Sequence, residues 1–291
     1  MAQAREARAR LCAAHGWPES EIELVPVTAS GDKIQDRPLA DIGGKALWTR
    51  ELDLWLAQGR IDAAVHSLKD VETLRPDALV IGAVLPRADV RDVLVGAASL
   101  AALPQGARIG TSAPRRAAQL LHLRPDCAIV PFRGNVATRL ARLEAGEADA
   151  TLLAAAGLAR LGQMQVGVPL DSGAWLPAPA QGAIGIECNA ADEATRALLF
   201  GIDHAPSRTQ VMAERALLAA LGGNCHSPVA VLSEGGEGEL TLRAALFSAN
   251  GVERVDGALR FSVGDGEGPA RLAADLLARA TPAIAALFAG P

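Results

Sequence analysis

Residues 107–121, ARIGTSAPRRAAQLL, read as one structural unit: a short apolar strand closing on Gly110, a polar junction at Thr111 and Ser112, and a helix over 113–121. Thr111 or Ser112 is placed to cap that helix and Pro114 suits its first turn. Arg115 and Arg116 then stand beside free N–H groups and a partial positive charge, which together favour an anion. The alternation extends in both directions. Strands are expected at 22–27, 61–66, 79–85, 128–132, 151–155 and 183–187, with helices at 2–14, 45–57, 136–145 and 194–200 between them. Strands separated by helices predict parallel sheets covered on both faces, so the fold class is α/β.

Beyond Pro206 the pattern changes. A helix over 208–221 precedes strands at 229–232, 239–248 and 252–263 and a terminal helix over 269–288. Leu240, Leu242, Ala244 and Leu246 recur with period two, the mark of a sheet with one buried face, and a small α+β domain is expected to close the chain.

The 291 residues suffice for two or three domains, and 50% hydrophobic with 21% charged residues is the composition of a folded globular chain. No apolar run is long enough to span a bilayer, and the charged amino-terminus lacks a signal peptide's apolar core, so a soluble cytoplasmic protein is expected. A net charge of -5 argues against nucleic-acid binding. The average conceals a local excess: residues 108–142 hold seven arginines (108, 115, 116, 124, 133, 139, 142) against the single acid Asp126, a stretch that wants anions. Lysine occurs only at 33, 45 and 69. Cys12, Cys127, Cys188 and Cys225 form no CxxC pair, and neither a metal site nor a disulfide framework is expected.

Four junctions carry candidate chemistry. Beside the first, at 110–116, stands FRGNVATR at 132–139, where Arg139 and Arg142 are three residues apart on a helix; together the two suggest a ligand with several carboxylates or phosphates. IDAAVHSLKD, 61–70, is a strand that delivers Ser67, Lys69 and Asp70 to its carboxyl end, a carboxylate beside a cation as in a poised acid/base pair. His66 reads as a packed strand residue. IGGKALW, 42–48, is a glycine turn from which Lys45 could reach a ligand that Trp48 covers. Cys225 differs from the other cysteines in lying in a glycine loop, LGGNCHSPV at 221–229. No Walker lysine motif or GxGxxG occurs.

Taken together, VHSLKD, GGKALW, GTSAPRR, FRGNVATRL, LPAPAQGAIGIE and LGGNCHSPV closely resemble the motifs of the porphobilinogen deaminase (hydroxymethylbilane synthase) family, over nearly the whole chain. The resemblance implies two periplasmic-binding-protein-like α/β domains and a small C-terminal α+β domain. The divisions expected are 1–86 completed by 183–202, then 87–182, then 203–291. It implies an enzyme of tetrapyrrole biosynthesis that polymerises four porphobilinogens into hydroxymethylbilane with release of ammonia, acting as a monomer. Cys225 matches the cysteine that holds a covalent dipyrromethane cofactor through a thioether, and Asp70 the catalytic carboxylate. Arg115, Arg116, Arg133, Arg139 and Arg160 match arginines that bind acetate and propionate groups, with Lys69, Ser67, Ser112, Lys45 and Trp48 in supporting positions. The alternative is a non-catalytic two-domain protein that closes on a small anion; Cys225 together with Asp70 favours the enzyme.

Three departures stand out. The loop reads Asn-Cys-His where the family usually has another residue before the cysteine and glutamine after it, and Val71-Glu72 replaces the common Val-Pro. The family's opening strand, with an arginine and a serine that contact the cofactor, has no counterpart before the helix that begins at Met1. The expectation is therefore a truncated form of lowered stability and activity, its natural start lying upstream.

Overall fold

The computed structural model describes residues 1–27 and 49–288, so Lys45, Trp48, their glycine turn and the start of the helix expected at 45–57 lie outside the described residues. The helices in chain order are α1 (Ala2–His15), α2 (Arg50–Ala57), α3 (Pro114–Leu123), α4 (Val136–Glu144), α5 (Ala155–Arg160), α6 (Glu193–Phe200), α7 (Ala205–Ala220), α8 (Gly268–Arg279) and α9 (Pro282–Ala285). The strands are β1 (Ala63–Ser67), β2 (Leu79–Val84), β3 (Asp92–Val95), β4 (Arg108–Gly110), β5 (Ala128–Val130), β6 (Ala150–Ala154), β7 (Val168–Pro169), β8 (Ile184–Asn189), β9 (Val229–Gly235), β10 (Glu239–Phe247) and β11 (Arg254–Ser262).

They form three sheets. The first has order β1-β8-β2, with β8 antiparallel to both neighbours, Ala63 facing Cys188 and Leu79 facing Asn189. The parallel sheet expected here is therefore corrected: β8 arrives after the chain has passed through the whole second sheet, not through a strand-helix-strand crossover, so nothing imposes a parallel direction. The strand expected at 22–27 does not pair among the described residues; none of its side chains is buried, and Pro26 has no N–H to give a ladder. The core of this unit joins Ala7 of α1 and Leu199 of α6 to Leu85, Ile184 and Ile186. His66 is buried as a strand residue, its Nε2 3.1 Å from the Glu187 carboxylate.

The second sheet runs β5-β4-β6-β3-β7. It is parallel across β5-β4-β6 and antiparallel around β3. Strands β3 and β7 and helix α5 escape the sequence reading: β3 opens on a charged residue, β7 is two residues long, and α5 is too short to show helical periodicity. In the third sheet, β11-β10-β9, one face packs on α7 and α8 through Leu217, Leu221, Leu242, Leu246, Leu272 and Leu276. The expectation of a single buried face holds only for the first half of β10. Ala245 and Phe247 turn to the opposite side and pack on Ala118 of α3 and Leu176, so this half is covered twice. The terminal helix is interrupted at Pro282, which cannot continue α8; Thr281 caps the short α9 instead.

Two segments cross between the first and second sheets, side by side. The Leu85 amide donates to Ile184 O at 3.0 Å and the Ala88 amide to Gly182 O at 3.2 Å. Gly182 has φ +84°, and a Cβ there would stand 2.5 Å from Ala88 O, so only glycine fits the crossing. Glu214 of α7 is fully buried beneath it. It accepts from both Nη atoms of Arg87 at 2.7 and 2.8 Å, from the Ala180 amide at 2.7 Å and from the Ser233 amide at 2.9 Å. The third unit is thereby keyed to the crossover. Replacing Glu214 with Ala leaves the Arg87 guanidinium buried without its counter-charge, and a destabilisation of about 3–5 kcal/mol is expected. Chemical denaturation measures it; a loss under about 1 kcal/mol would contradict this key.

Candidate active site

Strand β1 ends at Ser67, and the chain makes a single 3-10 turn, Leu68–Asp70, which places Lys69 and Asp70 at the mouth of a cleft. That cleft, a cavity of about 310 Å³, is lined from three sides. The first unit contributes Lys69 and Asp70; the second contributes Ser112, Arg115, Arg116, Arg133, Gly134, Asn135 and Arg139; the third contributes Asn224, Cys225, His226 and Ser227. Pro179 and Gln181 of the crossover close the back. Among the described residues five cationic side chains thus face one carboxylate, Asp70, a balance that suits a ligand with several negative charges.

Arg115 and Arg116 reach the cleft in a way the sequence does not disclose. Both are buried, and both are held by Asp92, the first residue of β3: Arg115 Nη1 donates at 2.7 Å, and Arg116 Nη2 at 2.7 Å with Nε at 3.2 Å. Trp175 Nε1 and Gln181 Nε2 donate to the same carboxylate, at 2.7 and 2.9 Å. Burial alone would raise the Asp92 pKa, but the two guanidiniums overcome it and hold the group far below the usual carboxylate range. A carboxyl depressed on folding stabilises fully above its unfolded value of about 4 and loses that contribution as the pH falls towards the folded value. Asp92→Asn leaves two buried guanidiniums around a neutral amide; a loss of about 3–5 kcal/mol at pH 7 is expected, shrinking in acid. Urea unfolding at pH 7 and pH 3 tests this, and a variant as stable as the parent would refute it.

The expected cap of α3 is corrected: its N-cap is Ala113 with no side-chain cap, and the Thr111 hydroxyl accepts from the Ala113 amide at 3.2 Å instead. The Ser112 hydroxyl, the Arg115 Nε and the Gln181 Oε1 are buried with no hydrogen-bond partner among the described residues. Such groups are costly unless a ligand or water meets them. Helix α4 is capped by Asn135, whose side chain accepts from the Thr138 amide at 3.0 Å, after a turn at Gly134 with φ +96°. Arg139, one turn in, donates to Gly134 O at 2.9 Å, and burial, with the charge of Arg116, lowers its pKa to about 10 while Asp70 opposes the fall.

Lys69 is only partly covered yet crowded. Desolvation lowers its pKa, Asp70 and Asp92 oppose the shift, and Arg116 and Arg115 add to it. Cys225 is exposed at the surface of its loop but sits over the cleft, where desolvation first, then Asp70 and Glu72, push its thiol up to about 11. The loop is tied by the Ser227 amide to Asn224 O at 3.0 Å and by the His226 amide to Asn224 Oδ1 at 2.8 Å.

Not every expected residue arrives. Ser67 accepts from Gln3 Nε2 of α1 at 3.1 Å and does not line the cavity. Arg160, at the end of α5, donates to Gly182 O at 3.0 Å, so its contact is with the crossover backbone and not with the cavity wall. Arg142, expected beside Arg139, turns outward to Glu147 and the Phe132 ring. Arg108 and Arg124 pair with Asp149 and Asp126. Much of the basic excess in 108–142 is thus neutralised by acids near it in space. What the sequence reading missed is Asp92 and Gln181; the available signal was an aspartate opening the apolar run Val93–Val95 just ahead of the arginine-rich segment.

Two family profiles match this chain: "Porphobilinogen deaminase, dipyromethane cofactor binding domain" over residues 1–197, and "Porphobilinogen deaminase, C-terminal domain" over 208–277. Among curated proteins it is similar to a porphobilinogen deaminase of Sphingopyxis alaskensis, 58% identical and covering 99% of this chain and 93% of that one. The porphobilinogen deaminase of Paracoccus denitrificans is 48% identical over 88% of this chain and 82% of its own. Solved structures similar in fold include a Salmonella typhimurium periplasmic binding protein, 11% identical with TM-score 0.39 over 68% of this chain and 80% of that one. A putative sulfonate-binding protein of Methylobacillus flagellatus is 16% identical, with TM-score 0.38 over 74% and 63%.

Proposed function

The chain belongs to the porphobilinogen deaminase family, and from that premise we propose that the three-sided cleft is its active site, with Asp70 as catalytic carboxylate and Cys225 as the point of cofactor attachment. The enzyme joins four molecules of porphobilinogen into hydroxymethylbilane with release of ammonia, a step of tetrapyrrole biosynthesis. The observation that carries the site assignment is that Asp70 and Cys225 line one cavity together with five cationic side chains. The alternative of a non-catalytic anion-binding protein is set aside by the family.

The dipyrromethane cofactor fits the residues present. A thiol over the cleft, a polycationic wall, and a Ser112 hydroxyl and Arg115 Nε without partners among the described residues match a covalently held group that carries acetate and propionate carboxylates. Lys69, Ser112, Arg115 and Arg116 would hold those carboxylates; when bound, the group supplies a nucleophilic pyrrole carbon at which the product chain is primed. Arg133 and Arg139 lie farther along the same wall and would bind the carboxylates of incoming porphobilinogen, bidentately where geometry allows. Asp70 assists departure of the substrate's ammonium group, stabilises the cation that is left through its pyrrole N–H, and accepts the proton released after coupling. Lys69 is the next residue to Asp70, whose charge opposes the lowering of the Lys69 pKa by burial.

Ser67 and Arg160 are proposed in supporting roles only, through α1 and the crossover backbone respectively. The three sheets support a division into residues 1–86 with 183–202, 87–182 and 203–291. No helix among the described residues is long and apolar enough to cross a membrane. We further propose a cytoplasmic monomer without nucleic-acid or membrane partners.

Substituting Leu for Arg133 or Arg139 should leave folding intact while a substrate carboxylate loses its guanidinium, on the order of 1–3 kcal/mol. Steady-state kinetics should show a raised KM or stalled elongation. Unchanged kinetics and an unchanged distribution of enzyme-bound species in both variants would remove this wall from the site.

A further inference from the structure

Arg215, one residue beyond Glu214 on α7, is buried, and among the described residues it has no carboxylate at ion-pair distance. It spends its donors on backbone. Nη1 reaches Val71 O at 3.2 Å and Leu68 O at 3.4 Å, while Nη2 reaches Glu72 O at 2.7 Å and Thr73 O at 3.3 Å. These four carbonyls flank Asp70 on both sides and leave its side chain to the cleft. A planar guanidinium can hold four acceptors in a fixed plane; an ammonium cannot. Ten residues farther along, the chain that contains α7 reaches Cys225, and the helix end is continued into that loop by the Gly223 amide donating to Leu218 O at 2.9 Å. One helix, immobilised by Glu214 at the crossover, therefore carries both the clasp on the Asp70 turn and the root of the cysteine loop.

We propose that Arg215 is a positioning residue, which fixes where the Asp70 carboxylate stands relative to Cys225 and to substrate. The inference rests on the assignment of Asp70 as catalytic carboxylate. Arg215→Lys keeps the charge and loses the planar fork. Because misplacing a reacting group by about 1 Å can cost ~10²-fold, kcat should fall by ~10–100-fold. Cofactor loading, read by intact mass, should be unchanged, and KM should stay within about 3-fold of the parent because the substrate-binding arginines are untouched.

The deciding measurement is a double-mutant cycle with Asp70→Asn. If Arg215 acts through Asp70, Arg215→Lys lowers the residual rate of Asp70→Asn by less than about 2-fold. The same fold-loss in both backgrounds would overturn the proposal, because a structural defect acts whether or not Asp70 is present. Near-normal turnover of Asp70→Asn by itself would instead sink the premise. Hydrogen exchange gives a readout independent of activity: amides of residues 68–75 should exchange ~10-fold faster or more in Arg215→Lys while β8 and β10 keep their protection. Unchanged exchange in that turn would overturn the clasp. Should Arg215→Lys not fold, Arg215→Gln is carried through the same cycle with the same deciding outcomes.

Discussion

Asp70→Asn should give a folded, cofactor-bearing protein whose turnover is about 10²–10⁴-fold lower than that of the parent, the usual contribution of a positioned proton-transfer group. Asparagine preserves shape and nearly all packing at this partly solvated turn, so the backbone bonds that hold Leu68–Asp70 are not disturbed. It removes the only acidic side chain that the described residues place on the cavity wall. Among the described residues the five cations then face substrate with no carboxylate to stabilise a developing positive charge or to accept a proton. A second, independent sign follows from the electrostatics. Asp70 is one of the groups that raise the Cys225 thiol, so in apoenzyme the asparagine variant should have a lower thiol pKa and should be alkylated faster at neutral pH. Near-normal product formation by a pure variant would reject the assignment.

Cys225→Ser should reduce turnover to background. A serine hydroxyl is a far weaker nucleophile than a thiol and forms no thioether. No other cysteine can substitute: Cys127 and Cys188 are buried, and Cys12 lies on α1. The unloaded thiol should also be slow to react with ordinary alkylating agents. With its pKa pushed up to about 11, its thiolate fraction at neutral pH is about a hundredth of that of a free cysteine, rising with pH until that value is passed. Iodoacetamide rates on apoenzyme between pH 7 and pH 11 measure this. A variant with serine at 225 that still turns over would show that attachment occurs elsewhere or is dispensable.

Much of the fold is written in local pattern. The strand-turn-helix unit at 107–121 becomes β4 and α3, and VHSLKD becomes β1 and the turn that bears Asp70, because apolar periodicity and turn chemistry are local properties. Strand direction is not local: β8 runs antiparallel because of where the chain comes from, which no window of sequence records. The candidate site divides in the same way. Lys69, Asp70, Ser112, Arg133, Arg139 and Cys225 could be picked out because each stands at a polar junction after a strand or in a glycine loop. Asp92 could not, since its meaning lies in the two arginines it meets across the sheet, 23 and 24 positions later. Arg215 reads as one more charged helix residue until the carbonyls of residues 68, 71, 72 and 73 are placed around it. Seven arginines on a short stretch suggested one broad anion site, but three of them are committed to Asp149, Asp126 and Glu147.

The most direct test of the account is a peptide-resolved mass measurement on the purified enzyme. Intact mass should exceed that of the bare chain by one dipyrromethane, and after digestion the whole addition should lie on the peptide bearing Cys225, in the parent and in Asp70→Asn, and be absent from Cys225→Ser. An active enzyme with the mass of the bare chain, or with the addition on any other peptide, would contradict it.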